Sequence, residues 1–160
     1  MQWIGITGTD IQILIRIIIA MALGAVAGLD RELAGKPAGL RTHMLVAGAA
    51  ALFVPLGETA LEHFMTRFPN QLVSADPVRI IESVITGISF LGAGTILHYG
   101  PDRGVEGLTT AASILFTAGL GVAMGFGHIA LAIGATVLVF VTLTGLGLIE
   151  RMLRQRNERS

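Results

Sequence analysis

The sequence predicts an all-α membrane protein of five transmembrane helices, and three observations carry that prediction. Hydrophobic residues make up 52% of the 160-residue chain and charged residues 14%, with a mean hydropathy of +0.73, outside the range of a soluble domain. Five apolar runs reach the ~20 residues that a hydrocarbon core demands of a spanning helix. Twenty-one glycines would weaken helices in water but let helices in lipid approach closely. The chain has no cysteine, which excludes disulfides, thiolate metal sites and cysteine nucleophiles. Its net charge of zero provides no basic face for nucleic acid.

The runs lie at about 11–29, 40–57, 80–98, 108–126 and 128–149. In lipid each must be helical, because the bilayer offers backbone groups no partners. The first has no Lys or Arg before it and exceeds the apolar core of a secretory signal, so it reads as a retained helix. Gly24-x-x-x-Gly28 in the first run and Gly121-x-x-x-Gly125 in the fourth read as packing seams, within one chain or between the copies of a homodimer. After the second run, Leu61, Phe64, Met65 and Phe68 recur at helical spacing opposite Glu58, Glu62 and Arg67. That pattern suits a short helix lying on the membrane surface, with an ordinary loop as the alternative. Asp76-Pro77 provides a side-chain cap and a first-turn proline for the third run. Within that run, FLGAG at 90–94 exposes backbone at Gly92 and Gly94, permitting a break or a close helix contact. Thr109 and Thr110 begin the fourth run, where the positive end of the helix dipole suits an anion or polar ligand, or the threonines act as a simple cap. The transmembrane domain is assigned to 1–153, and a short basic cytoplasmic tail to 154–160.

Orientation follows from the eleven Lys and Arg. With an external N-terminus, Arg31, Lys36, Arg41, Arg103, Arg151, Arg154, Arg156 and Arg159 are cytoplasmic, Arg67 and Arg79 are external, and Arg16 lies within the first run. Positive charge collects on the cytoplasmic side of membrane proteins, so this bias sets a cytoplasmic C-terminus. A shift of 68 residues aligns Leu23-Gly24-Ala25 with Leu91-Gly92-Ala93, and Gly39-Leu40-x-Thr42 with Gly107-Leu108-x-Thr110. The first four runs therefore read either as two helical hairpins in parallel repeat followed by a fifth helix, or as coincidence in a biased composition.

A charge inside a span needs a partner or a route to the interface. Arg16 and Glu82 lie at comparable depths near the outer side and read as an intramembrane ion pair, against a relay role or simple snorkelling. On the cytoplasmic side, Asp30, Glu32, Asp102 and Glu106 are mixed with Arg31, Lys36, Arg41 and Arg103, which disfavours a Mg2+ or Ca2+ cage because the cations neutralise the carboxylates first. No metal site or cofactor is assigned. The residues Asp30, Arg31, Glu32, Arg41 and Thr42, with Thr109 and Thr110, form the candidate cytoplasmic polar site, as a structural lock or as a recognition surface. The four histidines lack metal-ligand spacing and receive no role. No nucleophile elbow, phosphate-binding loop or catalytic carboxylate pair is present, so no enzymatic activity is assigned.

Arg16, GLDRE at 28–32, AGLRTH at 38–43, DPxRI at 76–80, GISFLGAG at 87–94 and GLTTAA at 107–112 together resemble the membrane domain of the MgtC/SapB family over about residues 11–149. The resemblance implies an inner-membrane regulator linked to adaptation to low Mg2+ and, in intracellular pathogens, to survival in macrophages. It also implies action on another membrane protein, the F-type ATP synthase among them. Asp30 stands where the family commonly has Glu, and the chain is expected to lack the family's C-terminal ACT-like domain. The alternative function is a small transporter or channel running between the hairpins, using Arg16, Glu82 and the FLGAG backbone.

Overall fold

Thr7 and Asp10 cap each other at the start of the first helix. The Asp10 N–H donates to Thr7 Oγ1 at 3.3 Å, and the Asp10 carboxylate accepts from the Thr7 N–H at 2.7 Å, which satisfies two backbone donors that a helix start leaves open. In the computed structural model, residues 7–68, 76, 78–96, 106–145 and 147 are described. Helix α1 spans Gly8–Leu33 and ends in a Schellman turn. Lys36 N–H bonds to the Arg31 carbonyl and Gly35 N–H to that of Glu32, with Gly35 at a φ of 63° that an L side chain resists.

The remaining helices are α2 (Leu40–Arg67), α3 (Val78–Ile96), α4 (Leu108–Gly125) and α5 (Ile129–Phe140), the last followed by a π-helical turn over Val141–Gly145. The first four are long and apolar enough to cross a membrane, and the segment Ile129–Gly145 is a shorter apolar helix. Through α4, all helical starts and stops fall near the predicted runs except one, and α5 starts beside the fifth run. The stretch with Leu61, Phe64 and Met65 is neither a separate surface helix nor a loop, because it continues α2 without interruption to Arg67. At 28 residues and 1.5 Å per residue, α2 is roughly 42 Å long, which exceeds a ~30 Å hydrocarbon core. Asp76 caps α3 as expected, its Oδ1 accepting the Val78 N–H at 3.0 Å. The proposed basic tail, the end of the fifth run from 148, and Asp102 and Arg103 lie outside the described residues.

Helix α2 is the centre of the bundle, packed by α1 and α4, with α3 beside α4 and α5 against α1 and α4. Both glycine seams face it. A Cβ on Gly24 would stand 2.5 Å from the His43 carbonyl oxygen, and one on Gly28 would stand 2.9 Å from that of Gly39. On α4, a Cβ on Gly121 would overlap the Ala47 carbonyl oxygen, and one on Gly125 would meet Val54 Cβ at 2.6 Å. The seams are thus used inside the chain, and neither supplies a surface for a homodimer. Around them the core is built largely of alanine. Ala20, Ala47, Ala51, Met124 and Ala132 form one cluster, and Val46, Ala50, Ile114 and Ala118 another, covered by Val84 and Ile88 of α3.

Helix α3 runs unbroken through FLGAG. Gly92 is a contact glycine, since a Cβ there would meet that of Ala111 at 3.4 Å, whereas Gly94 faces open surroundings. The backbone break permitted by sequence does not form, because intrahelical bonds satisfy groups that lipid would leave stranded.

The seams yield a direct contrast. Gly121→Ala should destabilise the protein by about 1–3 kcal/mol, the usual cost of forcing an atom into a filled interior. Gly119→Ala, where a Cβ meets nothing within 4 Å, should not destabilise it. Denaturant titration of the purified protein in detergent measures both, and equal losses would refute the assignment of the seam.

Candidate functional site

At the end of the bundle where α1 turns into α2, the last turn of α1 carries Arg31 and the first turn of α4 carries Thr110. Arg31 is only 6% exposed, and its Nη2 donates to Thr110 Oγ1 across the α1–α4 interface. The C-terminal position favours a cation through the helix dipole, and burial makes the charge-assisted bond count for more than it would in water. Thr110 does not form an open anion niche, since its hydroxyl oxygen accepts from Arg31.

His43 of α2 completes this buried group. Its Nδ1 lies 2.8 Å from the Gly39 carbonyl oxygen and its Nε2 lies 3.1 Å from Ser113 Oγ of α4. A carbonyl only accepts, so Nδ1 carries the proton, and in neutral imidazole Nε2 is then the acceptor. Ser113 has one hydroxyl proton and two acceptors within reach, His43 Nε2 and the Thr110 carbonyl at 2.8 Å. Thr117, one turn further along α4, returns its hydroxyl to the Ser113 carbonyl at 2.8 Å. Motif spacing singles out neither His43 nor Ser113. The signal that marks them is cost, because a polar side chain inside an apolar run must find a partner there.

The other predicted site residues separate by exposure. Glu32 is exposed, and its Oε2 accepts the Leu40 N–H at 3.0 Å, so an acid from the end of α1 caps the start of α2. Gly39 makes this possible, since a Cβ there would collide with the Glu32 carboxylate. Asp30 is half-buried and receives a long 3.5 Å contact from Thr144 of the π-helical turn. Arg41 and Thr109 are exposed and Thr42 is half-buried. Arg31, by contrast, belongs to the interior and not to a charged surface near water. Arg31 and Thr110 are joined directly, while Arg41 and Thr109 remain on the surface around them.

Arg16 and Glu82 are not brought together. Arg16 Nη1 donates to the Gly125 carbonyl at 3.2 Å, placing the guanidinium on the negative end of the α4 dipole. Gly127, at a φ of 82°, turns the chain past it, and a Cβ there would stand 3.3 Å from the guanidinium carbon. Glu82 is exposed on α3, which packs on α4 and α2 rather than on α1. The ion-pair expectation fails because equal depth does not place two helices side by side. Among the described residues, no group of three or more His, Asp or Glu could hold a metal ion.

Arg31→Ala should cost about 1.5–3 kcal/mol, the worth of a hydrogen bond to a charged group. Its effect should be non-additive with Thr110→Ala by about 0.5–3 kcal/mol, as for residues in contact. Arg41→Ala should stay within about 0.5 kcal/mol of the parent. Additive losses at Arg31 and Thr110 in the denaturant titration would count against the buried bond.

A protein of Haemophilus influenzae is 39% identical over 144 residues, covering 90% of this chain and 59% of its own length. The protein SrpB of Synechococcus elongatus is 38% identical, covering 99% of this chain and 85% of its own length. The protein MgtC of Salmonella typhimurium is 38% identical over 126 residues, 79% of this chain and 48% of its own length. The chain thus spans about half to six tenths of the length of two of these relatives. No solved structure matches it. The family profile described as the MgtC family matches residues 17–152, a span that includes the Arg31–Thr110 bond, His43 and both glycine seams, and the chain belongs to the MgtC family.

Proposed function

We propose that this protein is a non-enzymatic inner-membrane regulator, linked to adaptation to low Mg2+, that acts on another membrane protein through its cytoplasmic polar end. The observation that carries this reading is the distribution of polar groups. The buried charges collect at the two ends of the bundle, around Arg31 and around Arg16, and between them the core is Ala20, Ala47, Ala51, Met124 and Ala132, with the buried hydroxyls of Thr117 and Thr136 returned to the Ser113 and Ala132 carbonyls of their own helices. A conduit needs polar groups free to line it at mid-membrane, whereas alanine and internally bonded threonine fill that level here. The buried bonds fix the geometry of the end, and Glu32, Arg41 and Thr109 around it are exposed and suited to recognition. The eight-to-two cation bias supports five spans with this end in the cytoplasm. The F-type ATP synthase is a partner by family resemblance, and the low-Mg2+ role and any part in intracellular survival rest on the same resemblance. The glycines at equivalent positions, Gly39 and Gly107, both precede the first residue of their helices, which supports reading the first four helices as two related hairpins.

The competing reading is a small transporter or channel. Arg41→Ala combined with Thr109→Ala should leave membrane abundance unchanged, remove co-purifying membrane proteins, and impair growth under Mg2+ limitation. Liposomes containing the purified protein should show no Mg2+ flux above protein-free vesicles. Saturable flux through the wild-type protein, or normal growth of the double variant, would overturn the regulatory reading.

A further inference from the structure

Helices α2 and α3 come close near the end that carries Arg16, where a Cβ on Gly57 would stand 2.6 Å from Ile80 Cδ1. Beyond that contact they separate around a cleft of about 520 Å³, walled by Val46, Ala49 and Phe53 of α2 and by Val84, Gly87 and Ile88 of α3. Ser83, the polar side chain on its wall, donates its hydroxyl to the Arg79 carbonyl at 2.8 Å, so the cleft presents hydrocarbon. From this geometry we propose that the cleft binds one acyl chain of an anionic glycerophospholipid whose phosphate is held by Arg79.

From Val46 to Phe53 the cleft runs roughly 10 Å along α2 at 1.5 Å per residue, and its apolar walls accept a stretch of acyl chain. Charge identifies the other half of the ligand. Arg79 is exposed, lies one turn before Ser83 on the lip of the cleft, and its guanidinium makes no hydrogen bond or ion pair among the described residues. Asp76 and Glu82 stand three residues before and after Arg79, and neither forms an ion pair with it among the described residues, Asp76 Oδ1 accepting the Val78 N–H instead. A cation at the membrane interface beside an apolar cleft matches a phosphate with an acyl chain below it. The proposal stands independently of the regulatory reading, because it concerns the opposite end and a different face of the bundle.

The test reconstitutes the full chain in phosphatidylcholine vesicles containing a trace of phosphatidylglycerol that carries a diazirine midway along one acyl chain, followed by illumination and peptide mapping. Adducts should concentrate on Phe53, Val84 and Ile88 over Leu131 and Leu138 of α5, which are 63% and 67% exposed. Gly87→Leu should remove the cleft adducts and spare those on α5. A Cβ at Gly87 meets nothing within 4 Å, so the variant should unfold at the same denaturant concentration as the parent. Arg79→Gln should lower phosphatidylglycerol labelling in the cleft roughly fivefold, the factor associated with one cation at an anionic surface, and leave an equivalent phosphatidylcholine probe unaffected. Even labelling of all lipid-facing residues would overturn the proposal, as would unchanged labelling in Arg79→Gln. So would an intermolecular crosslink through Ala49→Cys that excludes the probe, since the occupant would then be a second copy.

Discussion

The close approach of α1 and α4 to α2 is the constraint on which the rest of this structure depends. Lipid tails are as apolar as the side chains of a helix, so association in the membrane relies on contact and on polar pairing instead of hydrophobic burial. Four glycines meet that condition. Gly24 and Gly28 let α1 lie on His43 and Gly39, and Gly121 and Gly125 let α4 lie on Ala47 and Val54. Ala47 receives both helices, its Cβ under Gly24 and its carbonyl under Gly121. The same proximity brings Arg31 of α1 within reach of Thr110 and brings His43 of α2 within reach of Ser113. A bundle held apart by one extra carbon at each seam would leave those groups stranded at low dielectric, where an unpaired polar group is most expensive.

Several charges in this protein are matched to helix ends. Arg31 lies in the last turn of α1, and Arg16 holds the final carbonyl of α4, so each cation meets the negative end of a dipole. Asp10 lies in the first turn of α1, Asp76 caps α3, and Glu32 crosses a turn to cap α2, so these anions meet positive ends. This arrangement explains how a chain with 14% charged residues can place several of them at or within a membrane. Backbone groups that helix termini leave unsatisfied serve as counter-charges, and they are available wherever a helix begins or ends.

The features legible in sequence are those set by one dimension. Span positions follow from apolar length, the Asp76 cap from residue type, and the seams from four-residue glycine spacing, each a property of a single helix. Features that depend on which helices are neighbours are not legible. Arg16 and Glu82 share a depth, but α4 stands where a partner for Arg16 is needed, and the cation meets a carbonyl that no composition ranks as a ligand. His43 lacks metal-ligand spacing, yet its partners are a carbonyl one turn away and a serine 70 residues distant. Arg31 and Thr110 stand out in the sequence as candidates, while the division of the candidate site into a buried bond and an exposed rim is a property of the fold.

Set in register by the 68-residue shift, α1 and α2 differ from α3 and α4 at specific positions. Gly24 and Gly28 of α1 correspond to Gly92 and Ile96 of α3, and His43 corresponds to Ala111. In the first hairpin both glycines press on the partner backbone, with hypothetical Cβ distances of 2.5 and 2.9 Å. In the second, one glycine remains, and its contact with Ala111 relaxes to 3.4 Å. Ile96 places a side chain where close approach would need none, so α3 cannot seat on α4 as α1 seats on α2. Its side chains accordingly face outward, Phe90 at 84% exposure and Gly92 alone buried. The cleft between α2 and α3 follows from that looser seating. In a membrane such a gap does not stay empty, because hydrocarbon of the bilayer occupies any apolar volume open to it, and here the volume and its flanking cation are suited to one lipid.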